Sequence, residues 1–466
     1  MSREQSSQSP TIVEYWETER LPSMHKTSLE FRNALALSYN SETLQRLFEE
    51  PFLPPEVIER QQFEKIRELV TLAYYKIPVY RKKYQEVGFE PRDLKDWGDY
   101  HFLPVITKDE LIDAFPNLCV NPDYMIEDLF PTRSSGSSGK TLRIYVDPQA
   151  IIADTLQGIR QFWLQSGGVY NKYQRVAHVY TVPWWVDSLG NGEYQSIFIS
   201  SLIKPEEIAK ILEEVSPDIL SLYPSNLQSL VPYLRESVKR ELIKLVVTHS
   251  EMSSKEERRI MSNQLGGIPV LDEYSSEELT RIALECPCGH YHICEDTVRI
   301  DVVDPKSFLP IQKGTGLVVG TNLLNRAMPF IKYIQGDYIT LDEPKECYIT
   351  WRQIDKIEGR QNDAFLRQDG SIVPAGTMLD ITYRWMFDIG VNIQEFELAQ
   401  TSPVEFRITV KEPTFFSDPE RREHSFQHLK HLLETVFSGG INITFNVVDS
   451  FPLTTQRKRR PIKREF

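Results

Sequence analysis

From Pro54 the run PPEVIERQQFEKIRELVTLAYYKI sets Ile58, Ile66, Leu69, Val70 and Ala73 at helical spacing, which predicts a core helix with one apolar face. Further along, helical and strand-like patterns alternate. QAIIADTLQGIRQFWLQSG reads as helix, YQRVAHVYTV as strand, PEEIAKILEEV as helix, DILSLYP as strand, SNLQSLVPYLRESV as helix and IKLVVTHS as strand. Such alternation implies an α/β fold with a largely parallel sheet. From Thr297 the chain turns β-rich, with VRIDVVD and GTGLVVGTNL. Beyond Gly359 comes a smaller α+β pattern, in which SPVEFRITV and INITFNVV flank the helical REHSFQHLKHLLETVF. The first 54 residues are polar, broken by prolines and weakly patterned, so they read as an N-terminal arm. A boundary at KIEGRQND then divides a large α/β body with mixed and parallel sheets, 55–359, from a small α+β C-terminal cap, 360–466.

Composition narrows the class without naming it. A chain of 466 residues has room for two to three domains, and 41% hydrophobic with 26% charged residues is ordinary for a soluble globular protein. A formal charge of −13 argues against nucleic-acid or anionic-membrane partners. The opening MSREQSSQSP has no apolar leader, and no stretch approaches the roughly 18 uninterrupted apolar residues of a membrane span, so a cytoplasmic protein is expected. Five cysteines do not suggest a disulfide framework, but Cys286, Cys288 and Cys294 fall within nine residues, which raises metal binding. The final ten residues, RKRRPIKREF, hold six basic side chains: a solvated tail, or a lid over an anionic ligand.

RSSGSSGKTLRIYVD places glycines, serines and Lys140 directly before a strand. Gly and Ser in this density suit a flexible linker. They equally suit a phosphate grip, because glycine lets backbone N–H groups close on an anion while hydroxyls and a lysine add donors and charge. The spacing is not that of a Walker loop, since two residues separate Gly136 from Gly139.

Several elements occur in a shared order: IPVYRKKYQEVG, LPVITKDEL, RSSGSSGKT, YPSNLQSL, DEYSSEE, AMPFIKYIQGD and IEGRQND. Together they resemble the phenylacetate–coenzyme A ligase branch of the adenylate-forming superfamily. The resemblance implies an adenylate-forming α/β body with a mobile cap. It also implies ATP-dependent conversion of a carboxylic acid, aromatic in some relatives, to an acyl-adenylate, then transfer to CoA with release of AMP and pyrophosphate. By the same resemblance Ser134, Ser135, Gly136, Ser137, Ser138, Gly139 and Lys140 match the S-S-G-T-T-G-K loop that grips the ATP phosphates. Ser250 and Glu251 match an adenine-contacting turn, Tyr274 an adenine-stacking ring and Glu278 a Mg²⁺ ligand, a carboxylate suited to that hard cation. Asp337 would bind the ribose and Arg360 the nucleotide, with the hinge at Asn362 and Asp363. Lys458 corresponds to the lysine that bridges the substrate carboxylate and α-phosphate as charge develops. The chain departs from the pattern at Ser275, Glu277, Lys332, Asn362 and Arg457.

CPCGHYHIC supplies soft and borderline ligands that suit tetrahedral zinc. Some relatives carry a structural zinc there, and the resemblance implies Cys286, His292 and Cys347, with Cys288 as fourth ligand and His290 or Cys294 as competitors. Trp184, Trp185, Tyr180, His178 and Tyr223 fall where relatives build the acyl pocket, although aromatic residues near strand ends also serve as core. Expected partners are small molecules: the acid, ATP and CoA, with Mg²⁺ and a candidate structural Zn²⁺; a homodimer stays open as the assembly. Acyl or adenylyl transfer to a hydroxyl coenzyme, a carrier-protein thiol or an amine remains an alternative, as does a non-catalytic binding protein on this fold.

Overall fold

The apolar stripe at the start of the body forms the long helix Pro55–Lys76, opened by a proline in its first turn and buried along Ile58, Ile66, Leu69, Val70 and Ala73. Ile58, Ile66, Leu69 and Val70 each contribute about 1.5–3 kcal/mol by leaving water. Gln62 shares the stripe with its polar atoms met: Nε2 donates to the carbonyls of Glu295 (2.8 Å) and Val298 (3.1 Å), and Oε1 accepts from Arg299 (3.0 Å). The computed structural model describes residues 40–134, 141–181, 188–189, 192–234, 243–391, 393, 395–437, 440–449, 451 and 460–466. Part of the expected arm is folded: Asn40 caps the helix Ser41–Glu49, whose Leu44, Leu47 and Phe48 pack on the body, with Phe48 stacked on Trp163 at 4.7 Å.

Strands β1 (Phe130–Arg133) and β2 (Arg143–Val146) pair antiparallel around the Ser/Gly loop. The helix Pro148–Gln165 leads into β3 (Val176–Tyr180), β4 (Ser196–Ser200), β5 (Ile219–Leu222), β6 (Leu245–His249) and β7 (Val270–Ser276), which lie parallel in the order β4-β3-β5-β6-β7. Strands β5 and β6 are buried throughout, as expected of a sheet covered on both faces. One face packs on Pro148–Gln165, the other on Pro205–Val215 and Lys255–Gln264. After β7 the chain reverses, and β8 (Thr280–Glu285) and β9 (Tyr291–Ile293) continue the sheet antiparallel.

A second sheet follows: β10 (Val298–Val303), β11 (Gly314–Asn322), β12 (Tyr333–Leu341) and, after β13 (Gln353–Ile354) has returned to pair with β9, β14 (Lys356–Arg360). Past the turn Gln361–Asp363 lie the short β15 (Phe365–Leu366) and β16 (Ile372–Val373). They precede β17 (Phe396–Ser402), β18 (Glu405–Val410), β19 (Asn442–Val447) and β20 (Ile462–Arg464), a four-stranded sheet beside the helices Ala375–Asp388 and Pro419–Phe437. This segment has an aromatic-rich core of its own, including Phe365, Trp385, Phe406, Leu429 and Leu433, with Met252 and Ile260 of the body against its edge. No helix among the described residues is long and apolar enough to cross a membrane.

Arg160 fastens these layers. It is buried in Pro148–Gln165, holds Asp296 through two bonds of 2.7 and 2.8 Å, and lies 4.6 Å over the Trp351 ring. Arg160→Ala is expected to cost about 3–5 kcal/mol, because it strands a desolvated carboxylate. Arg160→Met with Asp296→Leu should recover most of that loss, since neither charge remains. Denaturant unfolding checks both; a loss under about 1 kcal/mol in the single variant would show the pair to be dispensable.

Candidate functional site

Asp337 on β12 and Arg360 on β14 are cross-strand partners, so register alone sets them side by side, with Arg360 Nε 3.8 Å from Asp337 Oδ1. From the neighbouring sheet the Tyr274 hydroxyl donates to Asp337 Oδ2 at 2.7 Å. Glu278, in the turn between β7 and β8, is buried; Oε1 accepts from the Tyr333 hydroxyl at 3.1 Å, and its carbonyl accepts from Asn322 Nδ2 at 3.0 Å. Burial raises both tyrosine hydroxyls well above their ordinary range, which keeps them protonated donors. The hairpin carrying the Ser/Gly loop is tied to this turn, because Thr132 Oγ1 on β1 donates to Glu277 Oε2 at 2.6 Å. At the loop's base, Leu142 N donates to Ser134 Oγ at 3.0 Å. Tyr274, Glu278, Asp337 and Arg360 thus meet near the root of the loop. Ser135, Gly136, Ser137, Ser138, Gly139, Lys140 and Lys458 lie outside the described residues, as do Trp184, Trp185 and Arg457.

Ser250 sits at φ 67° beyond β6, its Oγ 2.9 Å from His249 Nδ1. The Glu251 carboxylate accepts from Ser225 N (3.1 Å) and Ser225 Oγ (3.0 Å), anchoring the first turn of Pro224–Leu230. Lys332 turns into the core, where Nζ donates to the His101 carbonyl at 2.9 Å over the Tyr100 ring. Lys108 is a cation within the field of Glu278. Ile106 pairs with Tyr333, Thr107 caps the helix Lys108–Ala114, and burial lowers the Lys108 ammonium against the field of Glu278, with Arg360 adding to the fall. The sequence signal was present in LPVITKDEL, as a threonine cap followed by lysine.

The opposite face of β7 builds a different wall. Register carries one row of side chains across four parallel strands at their carboxyl ends: Tyr180, Tyr223, His249 and Glu273. Tyr180 and Tyr223 lie 5.1 Å apart, and His249 is 5.4 and 5.6 Å from them. Beneath this row His178 touches Phe162 at 5.9 Å; burial first, then His249 and Arg281, push His178 down to about 3, so it is neutral. The helix Pro148–Gln165 faces the row with a polar stripe at helical spacing, Asp154, Gly158, Gln161 and Gln165. Arg281 from β8 crosses that stripe where glycine makes room: a Cβ on Gly158 would meet its Nη2 at 2.9 Å. Its guanidinium pairs with Asp154 and donates from Nε to Gln161 Oε1 at 2.8 Å, and Gln161 Nε2 donates to Glu273 Oε2 at 2.7 Å.

A third cluster lies at the β8–β9 turn. One ligand atom from each of Cys286, His290, His292 and Cys347 falls within 4.8 Å of the others. Cys288, expected as a ligand, is exposed and outside this group. The hairpin explains the exchange: Cys286 N donates to His290 O at 2.8 Å, which sets those residues opposite each other and leaves Cys288 at the tip. Cys294 is buried in the adjoining core. The donor set fits zinc. The two sulfurs are 3.8 Å apart, too long for a disulfide and close to the separation of about 3.8 Å between thiolates in a tetrahedral shell. His292 Nδ1 lies 3.1 Å from the Trp351 carbonyl, which orients Nε2 as the ligand atom, and that Nε2 has no hydrogen-bond partner among the described residues. Burial pushes His292 down to about 4, the neutral form a metal requires.

No family model matches the chain. It is 22% identical over 396 residues to the phenylacetate–coenzyme A ligase of Escherichia coli strain K12, covering 81% of this chain and 88% of that protein. The phenylacetate–coenzyme A ligase of Thermus thermophilus is 24% identical over 343 residues, 69% and 74% of the two chains. Among solved structures, 2-hydroxyisobutyryl-CoA ligase in its postadenylation state superposes with a TM-score of 0.75 at 17% identity, over 90% of this chain and 91% of that one. ATP-bound MatB from Rhodopseudomonas palustris gives 0.51 at 15% identity, over 72% and 67%. The chain is thus similar to phenylacetate–coenzyme A ligases at 22–25% identity over 67–81% of its length, and it shares the fold of adenylate-forming ligases.

Proposed function

We propose that the protein is an acid–coenzyme A ligase that joins a carboxylic acid to ATP as an acyl-adenylate and passes the acyl group to the CoA thiol, releasing AMP. The observation that carries this reading is the Thr132–Glu277 bond, which holds the phosphate-gripping hairpin against the turn bearing Glu278, within one cluster with Tyr274, Asp337 and Arg360. In the first half-reaction the acid's carboxylate oxygen attacks the α-phosphorus and pyrophosphate leaves. Asp337 and Tyr274 seat the nucleoside, Arg360 and Lys108 offset phosphate charge, and the Ser134–Lys140 loop closes on the leaving group. Lys458 bridges the two reacting anions. Glu278, a buried carboxylate, would hold Mg²⁺, which when bound neutralises charge on the phosphate oxygens.

In the second half-reaction the cap, 360–466, turns about Asn362 and Asp363 and brings another face to the adenylate. Its separate aromatic core supports motion as one piece, and Arg460 pairs with Asp363 at the pivot. Cys286, His290, His292 and Cys347 would hold a structural zinc, because four protein ligands leave no position open for chemistry. None of the five cysteines is paired in a disulfide, which suits a reducing cytoplasm.

The direct test is mass spectrometry of the products formed from MgATP, CoA and a pooled set of aryl and aliphatic acids. A new acyl-CoA with matching AMP supports the ligase; AMP without thioester redirects the acyl group to another acceptor. Glu278→Gln is expected to lower acid-dependent pyrophosphate release by about a hundredfold or more. Lys458→Ala should slow adenylation to a similar degree and spare thioester formation from preformed acyl-adenylate; full adenylation by this variant would take the tail out of the mechanism. Elemental analysis should find about one zinc per chain. Cys286→Ser or Cys347→Ser should lose the metal and lower Tm by several degrees, whereas Cys288→Ser should keep both.

A further inference from the structure

The wall opposite the nucleotide cluster contains an ionised group that an ordinary apolar acyl pocket has no use for. Glu273 lies deep in the body, yet part of its surface stays accessible. It stands at the end of the Tyr180–Tyr223–His249 row, at the carboxyl edge of the parallel strands, outside which open α/β sheets receive their ligands; the strand order reverses between β3 and β5, where Tyr180 and Tyr223 begin the row. Burial pushes its carboxyl up, but the Arg281 guanidinium, His249 and the Gln161 amide outweigh burial, so the group stays charged. Arg281 is shared with Asp154. Two carboxylates, Glu273 and Asp154, therefore share the Arg281 guanidinium on this wall, while His178 is neutral.

An acid seated against Glu273 covers the surface that its carboxylate still shows. A wholly apolar acyl group returns nothing to the carboxylate and bears the cost of stripping it; a group carrying an N–H or O–H donor restores the lost bond. A site arranged to hydrogen-bond a substrate donor rejects the analogue lacking it far more strongly than an apolar pocket rejects a change of shape. The rings of Tyr180, Tyr223 and Phe162 meanwhile favour a flat or slender body between the donor and the reacting carboxylate.

We propose that Glu273 reads the far end of the acid substrate, and that the acids this protein activates carry a hydroxyl or ammonium donor there. The proposal rests on the adenylation reading above. Asp154, Gly158, Gln161 and Arg281 act as positioning residues that fix the carboxylate.

The test uses the full chain and matched acids: phenylacetate against its para-hydroxy and para-aminomethyl derivatives, and hexanoate against its terminal hydroxy and amino derivatives. Acid-dependent pyrophosphate release gives kcat and KM for each. The donor-bearing acids of at least one set should exceed the parent acid by about tenfold or more in kcat/KM. Glu273→Gln should collapse that ratio, most for the ammonium acids, which lose a charge partner, and less for the hydroxy acids, which still meet an amide carbonyl. A preference for the hydroxy acid alone identifies a neutral donor as the natural group; a preference for the amine identifies a cation. Equal kcat/KM within each set, or a ratio that survives Glu273→Gln, overturns the proposal and leaves the adenylation reading standing. The comparison of acids on the unaltered protein needs no variant to fold. Absence of pyrophosphate release with every acid, despite Mg²⁺-dependent ATP binding, overturns the adenylation reading itself and this proposal with it.

Discussion

A β-strand sends successive side chains to opposite faces, and β7 uses both. Tyr274 turns toward the second sheet and meets Asp337, while Glu273, one residue earlier, turns toward the helix Pro148–Gln165 and meets Gln161. The nucleotide cluster and the proposed acid wall are therefore separated by the thickness of one strand. A one-residue slip in the β6–β7 register would exchange the two sets, placing a charge against Asp337 and a phenol against the helix. The fixed point beneath this arrangement is Asp272. It accepts from Thr248 Oγ1 at 2.8 Å and from the Tyr291 hydroxyl at 2.7 Å, beside the buried Arg258–Glu285 pair.

The reversal of direction after β7 has the same importance for topology. Parallel strands deliver their loops to one edge, and the antiparallel turn at Glu277 and Glu278 folds back over that edge to meet β1 and β12. Three chain segments distant in sequence then share one small volume: the loop hairpin, the β7–β8 turn, and the β12–β14 pair. Among the described residues the bonds Thr132–Glu277, Tyr333–Glu278 and Tyr274–Asp337 align these segments.

Much of the fold was legible in the sequence because its elements are long and strongly patterned. The helix starting at Pro55 and strands β5 and β6 follow from periodicity, and the face of that helix was read residue by residue. The helix Ser41–Glu49 was not, because its apolar trio Leu44, Leu47 and Phe48 spans little more than one turn between polar and proline-rich flanks. The motifs bearing Tyr274, Glu278, Asp337 and Arg360 were each legible, and the fold brings those residues together. What sequence could not supply was the partner of each side chain: that Lys332 is spent on a core carbonyl, that Lys108 lies within the field of Glu278, or that Glu251 holds Ser225. Glu273 stayed hidden inside a motif read for its tyrosine. The polar stripe Asp154, Gly158, Gln161 and Gln165 was a readable signal, since a helix buried on its apolar side has no need of polar residues at the same spacing unless they face something polar. The choice between Cys288 and His290 depended on hairpin geometry, which spacing alone leaves undetermined.

The Cys286–Cys347 contact has a mechanical consequence for the second sheet. These side chains are 61 positions apart, and between them lie β10, β11 and β12, including Asp337. With zinc held by the four side chains proposed for it, the sheet would be a bag of chain drawn closed at its neck, and β13 stitches the returning strand to β9 just beyond that knot. Closing a loop of this length removes on the order of (3/2)RT ln n of chain entropy, so the knot confines the bag more than it glues it. Untying it would leave the strands paired with one another and slacken their seat on the larger sheet. Asp337 would then drift from Tyr274 on the larger sheet while its pairing with Arg360 across β12 and β14 stayed intact.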